Sequence, residues 1–266
     1  MISGSYIKSK FAFGLFVCSL TCAVTAEARP PDQPNEELKQ LEGVGVTEKL
    51  GAQIPDLTFT NSDGKPIKLR SLFDGERPVL LTMNYSDCPM LCSLQLYALT
   101  DALNKIKWTI GTEYRLVTVS LDPTEKVERS ASTKERYLNQ LTRSSPEGWH
   151  FLTGDEASVK ALAEAVGFGY RYSEERQEYL HAAAIMVMSP KGKVSRYLHG
   201  LGYSPQTLRL SMVEASQGKQ VSTLDAVVLY CFYYDSEAGN YTPVVRNLLK
   251  IAAAGTVVVL AIFVIG

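Results

Sequence analysis

An apolar run that leads directly into two cysteines is the feature that most constrains how this chain can fold. Residues 78–85 have the length and composition of a buried central strand. Cys88 and Cys92 follow, and beyond them apolar residues recur at helical spacing, at Leu94, Leu96, Leu99, Leu103 and Ile106. The pair is therefore expected at a helix N-terminus, where unpaired N–H groups and the positive end of the helix dipole favour thiolate over thiol.

The rest of the chain continues this alternation of strand and helix. The predicted elements are strands at 114–121 and 149–152, a hairpin at 182–188 and 193–198, and helices at 125–141, 155–166 and 205–215. Together they predict an α/β, thioredoxin-like fold, in which a central mixed sheet is flanked by helices.

The N-terminal residues have the pattern of a secretory signal peptide. Lys8 and Lys10 precede a short apolar stretch, and an Ala-x-Ala site ends at Ala28. We expect residues 1–28 to be removed on export, and the alternative is that they stay as an uncleaved N-terminal anchor. Residues 29–50, which begin with prolines and polar side chains, are predicted to be a linker.

The C-terminal residues predict a membrane anchor. Residues 248–266 contain a single charged side chain, Lys250, and a helix of this length is about long enough to cross a bilayer. We assign residues 244–266 to this transmembrane helix, 218–243 to a connector and 51–217 to the thioredoxin-like domain. Together with export, the anchor predicts an exported protein on the periplasmic face of the inner membrane.

Charge and cysteine content narrow the possible functions. The 266 residues carry a formal net charge of −1 with no long run of one sign, so nothing favours a nucleic-acid partner. Cys18 and Cys22 would leave with the signal peptide. The remaining Cys88, Cys92 and Cys231 are too few for a disulfide scaffold. One close pair and one remote thiol indicate redox chemistry or metal binding, and Cys231, which lies among aromatic residues, is expected to pack rather than react.

One histidine is placed where the fold would bring it near the cysteines. His181 lies just before the first strand of the predicted hairpin, and in thioredoxin-type domains the loop entering that strand faces the cysteine pair. Two thiolates and an imidazole suit Cu(I) and can also hold Cu(II), whereas a structural zinc site normally uses four protein ligands. The residues alone leave open the alternative of a purely structural histidine.

At these residues the sequence resembles the Sco/SenC family. The resemblance spans about 51–215 and rests on four ordered segments: Met83-Asn-Tyr-Ser-Asp-Cys-Pro-Met-Leu-Cys92, Ser120-Leu-Asp-Pro123, Phe151-Leu-Thr-Gly-Asp155 through Gly167-Phe168, and His181. It implies a thioredoxin fold that binds copper through Cys88, Cys92 and His181. It also implies delivery of copper, or of reducing equivalents, to the copper centre of cytochrome c oxidase subunit II.

Three features depart from the common pattern of that family. Ser93 stands where many members have a second proline after the cysteine pair, and Tyr179 stands where an acidic or polar neighbour of the histidine is frequent. The predicted anchor is C-terminal, while familiar members are anchored at the N-terminus. None of these differences removes a candidate ligand.

The resemblance favours a metallochaperone that carries copper, as Cu(I) or Cu(II), to subunit II or a related copper acceptor. The alternative is a thiol–disulfide oxidoreductase that keeps the copper-site cysteines of the oxidase reduced. Such an enzyme would use Cys88 and Cys92 as its catalytic redox pair and would not need His181. Sequence reasoning therefore leaves open whether the protein is an enzyme.

Overall fold

The computed structural model describes residues 42–216, 229–235 and 240–265, and the predicted signal peptide lies outside them. The strands of the domain are β1 (Gly45–Val46), β2 (Thr58–Asn61), β3 (Pro66–Lys68), β4 (Val79–Asn84), β5 (Arg115–Ser120), β6 (Trp149–Thr153), β7 (Phe168–Ser173), β8 (Glu178–His181), β9 (Ala184–Met188) and β10 (Val194–His199). The helices are α1 (Leu91–Asn104), α2 (Val127–Leu138), α3 (Glu156–Ala165) and α4 (Pro205–Ala215). Short 3-10 helices occur at Leu69–Leu72 and Pro146–Gly148.

Seven strands form a central mixed sheet in the order β10-β9-β4-β5-β6-β2-β3. The three middle strands, β4, β5 and β6, run parallel, and the outer strands join them antiparallel. All six residues of β4 are buried, as expected for a strand covered on both faces of the sheet. The structure thus confirms the predicted α/β, thioredoxin-like fold, and the strands predicted at 78–85, 114–121 and 149–152 correspond to β4, β5 and β6.

Side chains that alternate along β4 divide the core into two clusters, one on each face of the sheet. Val79, Leu81 and Met83 join one cluster, which α3 covers with residues such as Leu162. Leu80 joins the other cluster, where it meets the leucines of α1 and α4. Because the leucines of α1 recur at helical spacing, they hold one face of this helix against the sheet. The first turn of α1 is therefore fixed relative to the end of β4.

A second, three-stranded sheet in the order β1-β7-β8 has no counterpart among the predicted elements. β7 and β8 form a hairpin whose turn includes Gln177 at a φ of +52°. β1 pairs with β7 and lies within residues 29–50, the segment predicted to be a linker. A Cβ atom at Gly169 would collide with the backbone oxygen of Gly43, so this close pairing requires glycine. The small sheet ends at His181, and only two residues separate it from β9 of the central sheet.

The C-terminal part of the structure consists of a hairpin and a long apolar helix. The hairpin pairs β11 (Phe232–Asp235) with β12 (Asn240–Pro243), and α5 spans Val245–Ile265. Within α5, residues Val245–Phe263 are long and apolar enough to cross a membrane, by length and composition, with a mean hydropathy of 1.7. None of this span is buried against the rest of the chain, which is consistent with the predicted anchor.

Candidate metal centre

Three elements bring the predicted site residues together. Cys88 lies in the turn between β4 and α1, Cys92 is the second residue of α1, and His181 is the last residue of β8. Cys92 Sγ lies 3.3 Å from His181 Nε2, and the Cys92 backbone N–H donates to Cys88 Sγ at 3.3 Å. The three ligand atoms all lie within 4.8 Å of one another. One metal ion could therefore contact all three.

The position of His181 differs from the sequence-based expectation. The residue belongs to β8, where it pairs with Tyr170 of β7, rather than to a loop that enters the hairpin strand. The signal that could have revealed this hairpin is the alternation of aromatic residues at Phe168, Tyr170 and Tyr172, which has the two-residue period of a strand. The strand matters because its hydrogen-bonded ladder fixes the backbone that carries the imidazole.

The orientation of the imidazole leaves one ring nitrogen available to a metal. His181 Nδ1 lies 3.0 Å from the Ala182 carbonyl oxygen, which can only accept a hydrogen bond, so Nδ1 carries the proton. This contact directs Nε2 towards Cys92 Sγ and fixes the ring, as is usual for metal-binding histidines. The rings of Phe168 and Tyr85 lie beside the imidazole, with centroids 6.0 and 6.3 Å away.

The two thiols of the site occupy different environments. Cys88 is partly exposed, whereas Cys92 is 3% exposed. A hydrogen bond from the Cys92 thiol is the main cause that lowers the pKa of Cys88, against the opposing effect of burial. Burial is the main cause that raises the pKa of Cys92. Both shifts favour negative charge on the partly exposed sulfur of Cys88 and the proton on the buried sulfur of Cys92.

A cleft of about 280 Å³ connects the site to solvent, and its walls include Cys88, Met90, Tyr179 and His181. Met90 is 64% exposed at this edge. A metal ion or a partner's ligand can therefore reach Cys88 from outside, while Cys92 remains covered.

Buried polar residues that the sequence analysis missed hold α1 in place behind the site. The Gln95 side chain, which is fully buried, donates to the Ala184 carbonyl oxygen at 3.0 Å and accepts from Asn84 Nδ2 at 2.8 Å. These bonds join α1 to the ends of β4 and β9. A polar residue at an otherwise apolar position of the helix, directly after the cysteines, is the sequence signal that could have identified Gln95.

The donor set fits a soft or borderline metal better than structural zinc. Among the residues that the structure describes, the group of potential ligands comprises two cysteines and one histidine. Cys231 is buried elsewhere and is not part of that group. Thiolates and imidazole suit Cu(I), whereas a structural zinc ion normally takes a fourth protein ligand. The residues present therefore fit copper.

A family model decides the classification. The model described as SCO1/SenC matches residues 47–213, more than half of the chain. The chain belongs to the SCO1/SenC family. It is similar to the "SCO1 protein homolog" of Bacillus subtilis (strain 168). The two sequences are 25% identical over 183 residues, which cover 65% of this chain and 88% of that protein.

Solved Sco structures share the fold of the SCO1/SenC domain. Arabidopsis thaliana ScoI, crystallised with copper bound, matches with a TM-score of 0.50 and 22% identity over 62% of this chain and 99% of its own. BsSco is described as having a disulfide switch and as a member of the Sco family of cytochrome c oxidase assembly proteins. It matches with a TM-score of 0.50 and 20% identity, over 66% of this chain and 99% of its own. This chain thus combines the Sco fold with a Cys-Cys-His group.

Proposed function

We propose that this SCO1/SenC chain is a copper metallochaperone whose cargo is held by Cys88, Cys92 and His181. One observation carries the proposal. His181, 89 residues from Cys92 in the sequence, presents Nε2 at 3.3 Å from the Cys92 sulfur. A dithiol that only exchanged electrons would need no imidazole at the buried thiol, whereas a three-coordinate Cu(I) site needs a third ligand there.

The two thiols suggest an order for copper loading. Cu(I) arriving through the cleft would meet Cys88 first, because that sulfur is partly exposed and its lowered pKa favours the thiolate. Cys92 then gives up its proton to become the second thiolate, and His181 Nε2 completes the site. Metal binding by this dithiol is therefore coupled to proton release. Cu(II) can be held by the same ligands.

We further propose that the chain is exported and works at the periplasmic face of the inner membrane. Support comes from the apolar helix α5 and from the export pattern of residues 1–28. The acceptor would be cytochrome c oxidase subunit II or a related copper protein; BsSco is described as a member of a family of cytochrome c oxidase assembly proteins. A thiol reagent that cannot cross membranes should label Cys88 in intact spheroplasts, and protection until lysis would contradict this location.

The copper site can be tested on the full chain in detergent, reduced and without oxygen. Cu(I) titration against a competing chelator should show one tightly bound ion per chain. His181→Ala should weaken binding by about 100-fold or more, beyond the 10- to 100-fold cost of losing an outer hydrogen-bond partner of a ligand. His199→Ala, at a partly exposed histidine bonded to Glu48, is the matched control and should bind normally. Unchanged stoichiometric binding by His181→Ala would refute the ligand assignment.

A thiol–disulfide oxidoreductase is the second candidate, favoured by the asymmetry of the two thiols. An exposed cysteine with a lowered pKa beside a buried cysteine with a raised pKa is the arrangement of an attacking and a resolving thiol. In this reaction the Cys88 thiolate attacks a substrate disulfide, and Cys92 then displaces the reduced substrate as the Cys88–Cys92 disulfide closes. The reductase alone would gain support if His181→Ala kept the full rate with a disulfide substrate while the wild type bound copper weakly.

A further inference from the structure

Residues outside the metal centre form hydrogen bonds with the turn that carries Cys88. Ser86, two residues before Cys88, has all three of its polar groups bonded to residues that precede or begin α2. Its backbone N–H donates to Glu125 Oε2 at 2.8 Å, and its hydroxyl donates to Glu125 Oε1 at 2.7 Å. Its carbonyl oxygen accepts from Arg129 Nη2 at 3.3 Å. The turn is thereby attached to a part of the chain some forty residues away.

Two further hydrogen bonds complete this network. We call the hydrogen bonds of Glu125 and Arg129 to Ser86 and Asp87 the Ser86 clamp. Arg129 Nε donates to Asp87 Oδ1 at 2.7 Å, so the guanidinium holds both residues that precede Cys88. The Ser120 hydroxyl, at the end of β5, donates to Glu125 Oε2 at 2.7 Å. The Glu125 carboxylate thus accepts three short, charge-assisted hydrogen bonds, a type stronger than bonds between neutral groups. The clamp ties the turn to the central sheet and to α2.

The three candidate ligands depend on this clamp to different degrees. Cys92 is held by the hydrogen bonds of α1, and His181 is held by the ladder between β7 and β8. Cys88 belongs to no helix or strand. Its distance from the other two ligands is therefore set by the conformation of the turn, and a free turn would lose entropy each time copper bound.

We infer that Glu125 and Arg129 are positioning residues of the metal centre: they hold the Cys88 turn in the conformation in which its sulfur meets Cys92 and His181. This inference rests on the proposed copper-binding function and deepens it. Neither residue is a ligand, and both act through Ser86 and Asp87. Their loss should therefore change the geometry and exchange of the Cys88–copper bond without changing the number of ligands.

The test uses the full chain in detergent with Glu125→Gln, which keeps the shape of the side chain but places an amide NH₂ against the Ser86 and Ser120 donors. The matched control is Glu113→Gln, because the Glu113 carboxylate likewise accepts a backbone N–H, from Thr109 at 2.7 Å, outside the metal centre. For Glu125→Gln we expect Cu(I) affinity to fall about tenfold or more, as for other outer partners of metal ligands. The thiolate-to-copper charge-transfer band of the Cu(II) form should also shift. Glu113→Gln should match the wild type in both.

Arg129→Gln keeps the inference testable if Glu125→Gln does not fold, because the Arg129 side chain is 39% exposed and its replacement leaves the core intact. It should shift the charge-transfer band in the same way and weaken copper binding. Folded Glu125→Gln and Arg129→Gln variants with wild-type affinity and an unchanged band would overturn the clamp.

A copper-independent measurement separates failure of the clamp from failure of the proposed function. If the wild type itself binds no copper, the metallochaperone proposal fails, and the clamp is judged by the alkylation rate of Cys88 in the metal-free dithiol. A rate in Glu125→Gln that differs several-fold from the rate in Glu113→Gln supports positioning of Cys88. Equal rates in the two variants would refute it.

Discussion

The metal centre has a buried cysteine, Cys92, and so does the segment directly before the C-terminal hairpin, Cys231, yet the chemistry of the two regions differs. Cys92, 3% exposed, faces a second thiol and an imidazole. Cys231, 4% exposed, is not part of any group of potential metal ligands in the described residues. Burial is thus almost the same at the two sulfurs. What marks a site is the convergence of soft donors from separate elements.

Near the hairpin, the side chains of Arg196, Glu214 and Tyr241 are paired with one another instead. Glu214 forms hydrogen bonds with Arg196 Nη2 at 2.6 Å and Arg196 Nε at 3.0 Å, and it accepts from the Tyr241 hydroxyl at 2.6 Å. The Arg196 guanidinium also lies over the Tyr234 ring, 4.8 Å from its centroid. Oppositely charged and hydrogen-bonded partners satisfy each other here. This network attaches the hairpin that precedes α5 to the domain. The ligand atoms of the metal centre, by contrast, are not paired with an arginine or lysine in this way.

A matched pair of cysteine substitutions gives the largest expected difference between the two regions. Cys92→Ser should reduce Cu(I) affinity by more than about 100-fold, because a hydroxyl is a poor ligand for a soft ion. Cys231→Ser should leave one copper per chain at wild-type affinity. Chelator competition on the two full-length variants measures both, and weak binding by Cys231→Ser would place that thiol in the copper chemistry.

The next largest effect concerns thiol reactivity and its dependence on pH. Alkylation requires the thiolate. Because the pKa of Cys88 is lowered, its thiolate persists as the pH falls below the ordinary thiol value, and labelling should change little between pH 8 and pH 6. Cys92, with a raised pKa, should stay unmodified at both values. Iodoacetamide labelling followed by peptide mass spectrometry gives the rates, and faster labelling of Cys231 than of Cys88 would contradict the comparison.

Removing the negative charge of Glu214 should lower the free energy of unfolding without changing copper binding. Glu214→Gln weakens bonds to a guanidinium and a phenol, and we expect a loss of about 2 kcal/mol in unfolding free energy. Copper affinity should not change, because no ligand touches this network. Thermal unfolding of the full chain, with the exposed Glu128→Gln as control, tests the first expectation. A parallel loss of copper affinity would show that the two regions are coupled.

The smallest effects come from one Tyr→Phe change in each region. The Tyr85 hydroxyl accepts from the Tyr179 N–H at 3.3 Å, and the Tyr234 hydroxyl donates to the Tyr197 carbonyl at 2.8 Å. Each loss should cost about 1 kcal/mol of stability. Only Tyr85→Phe should shift the copper charge-transfer band, because the Tyr85 phenol lies beside Cys88. Identical spectra for both variants would mean that Tyr85 is only structural.

Local patterns account for the parts of the fold that could be predicted. The apolar run that became β4 and the leucine spacing that became α1 are properties of consecutive residues. They therefore also located Cys88 and Cys92 at the start of a helix. The predicted helix at 125–141 is shorter in the structure, at Val127–Leu138, because apolar periodicity does not define where a helix ends.

The sequence by itself determined the type of each central element, the cysteine pair and the apolar C-terminal segment. Each of these features depends only on residues that are close together in the sequence. Only the tertiary structure decided that His181 Nε2 meets Cys92 and that Glu125 forms hydrogen bonds with the turn that carries Cys88. These are contacts between residues about forty or more positions apart. Neither member of such a pair has a local signal for the other, since the elements that carry them come together only in the folded chain.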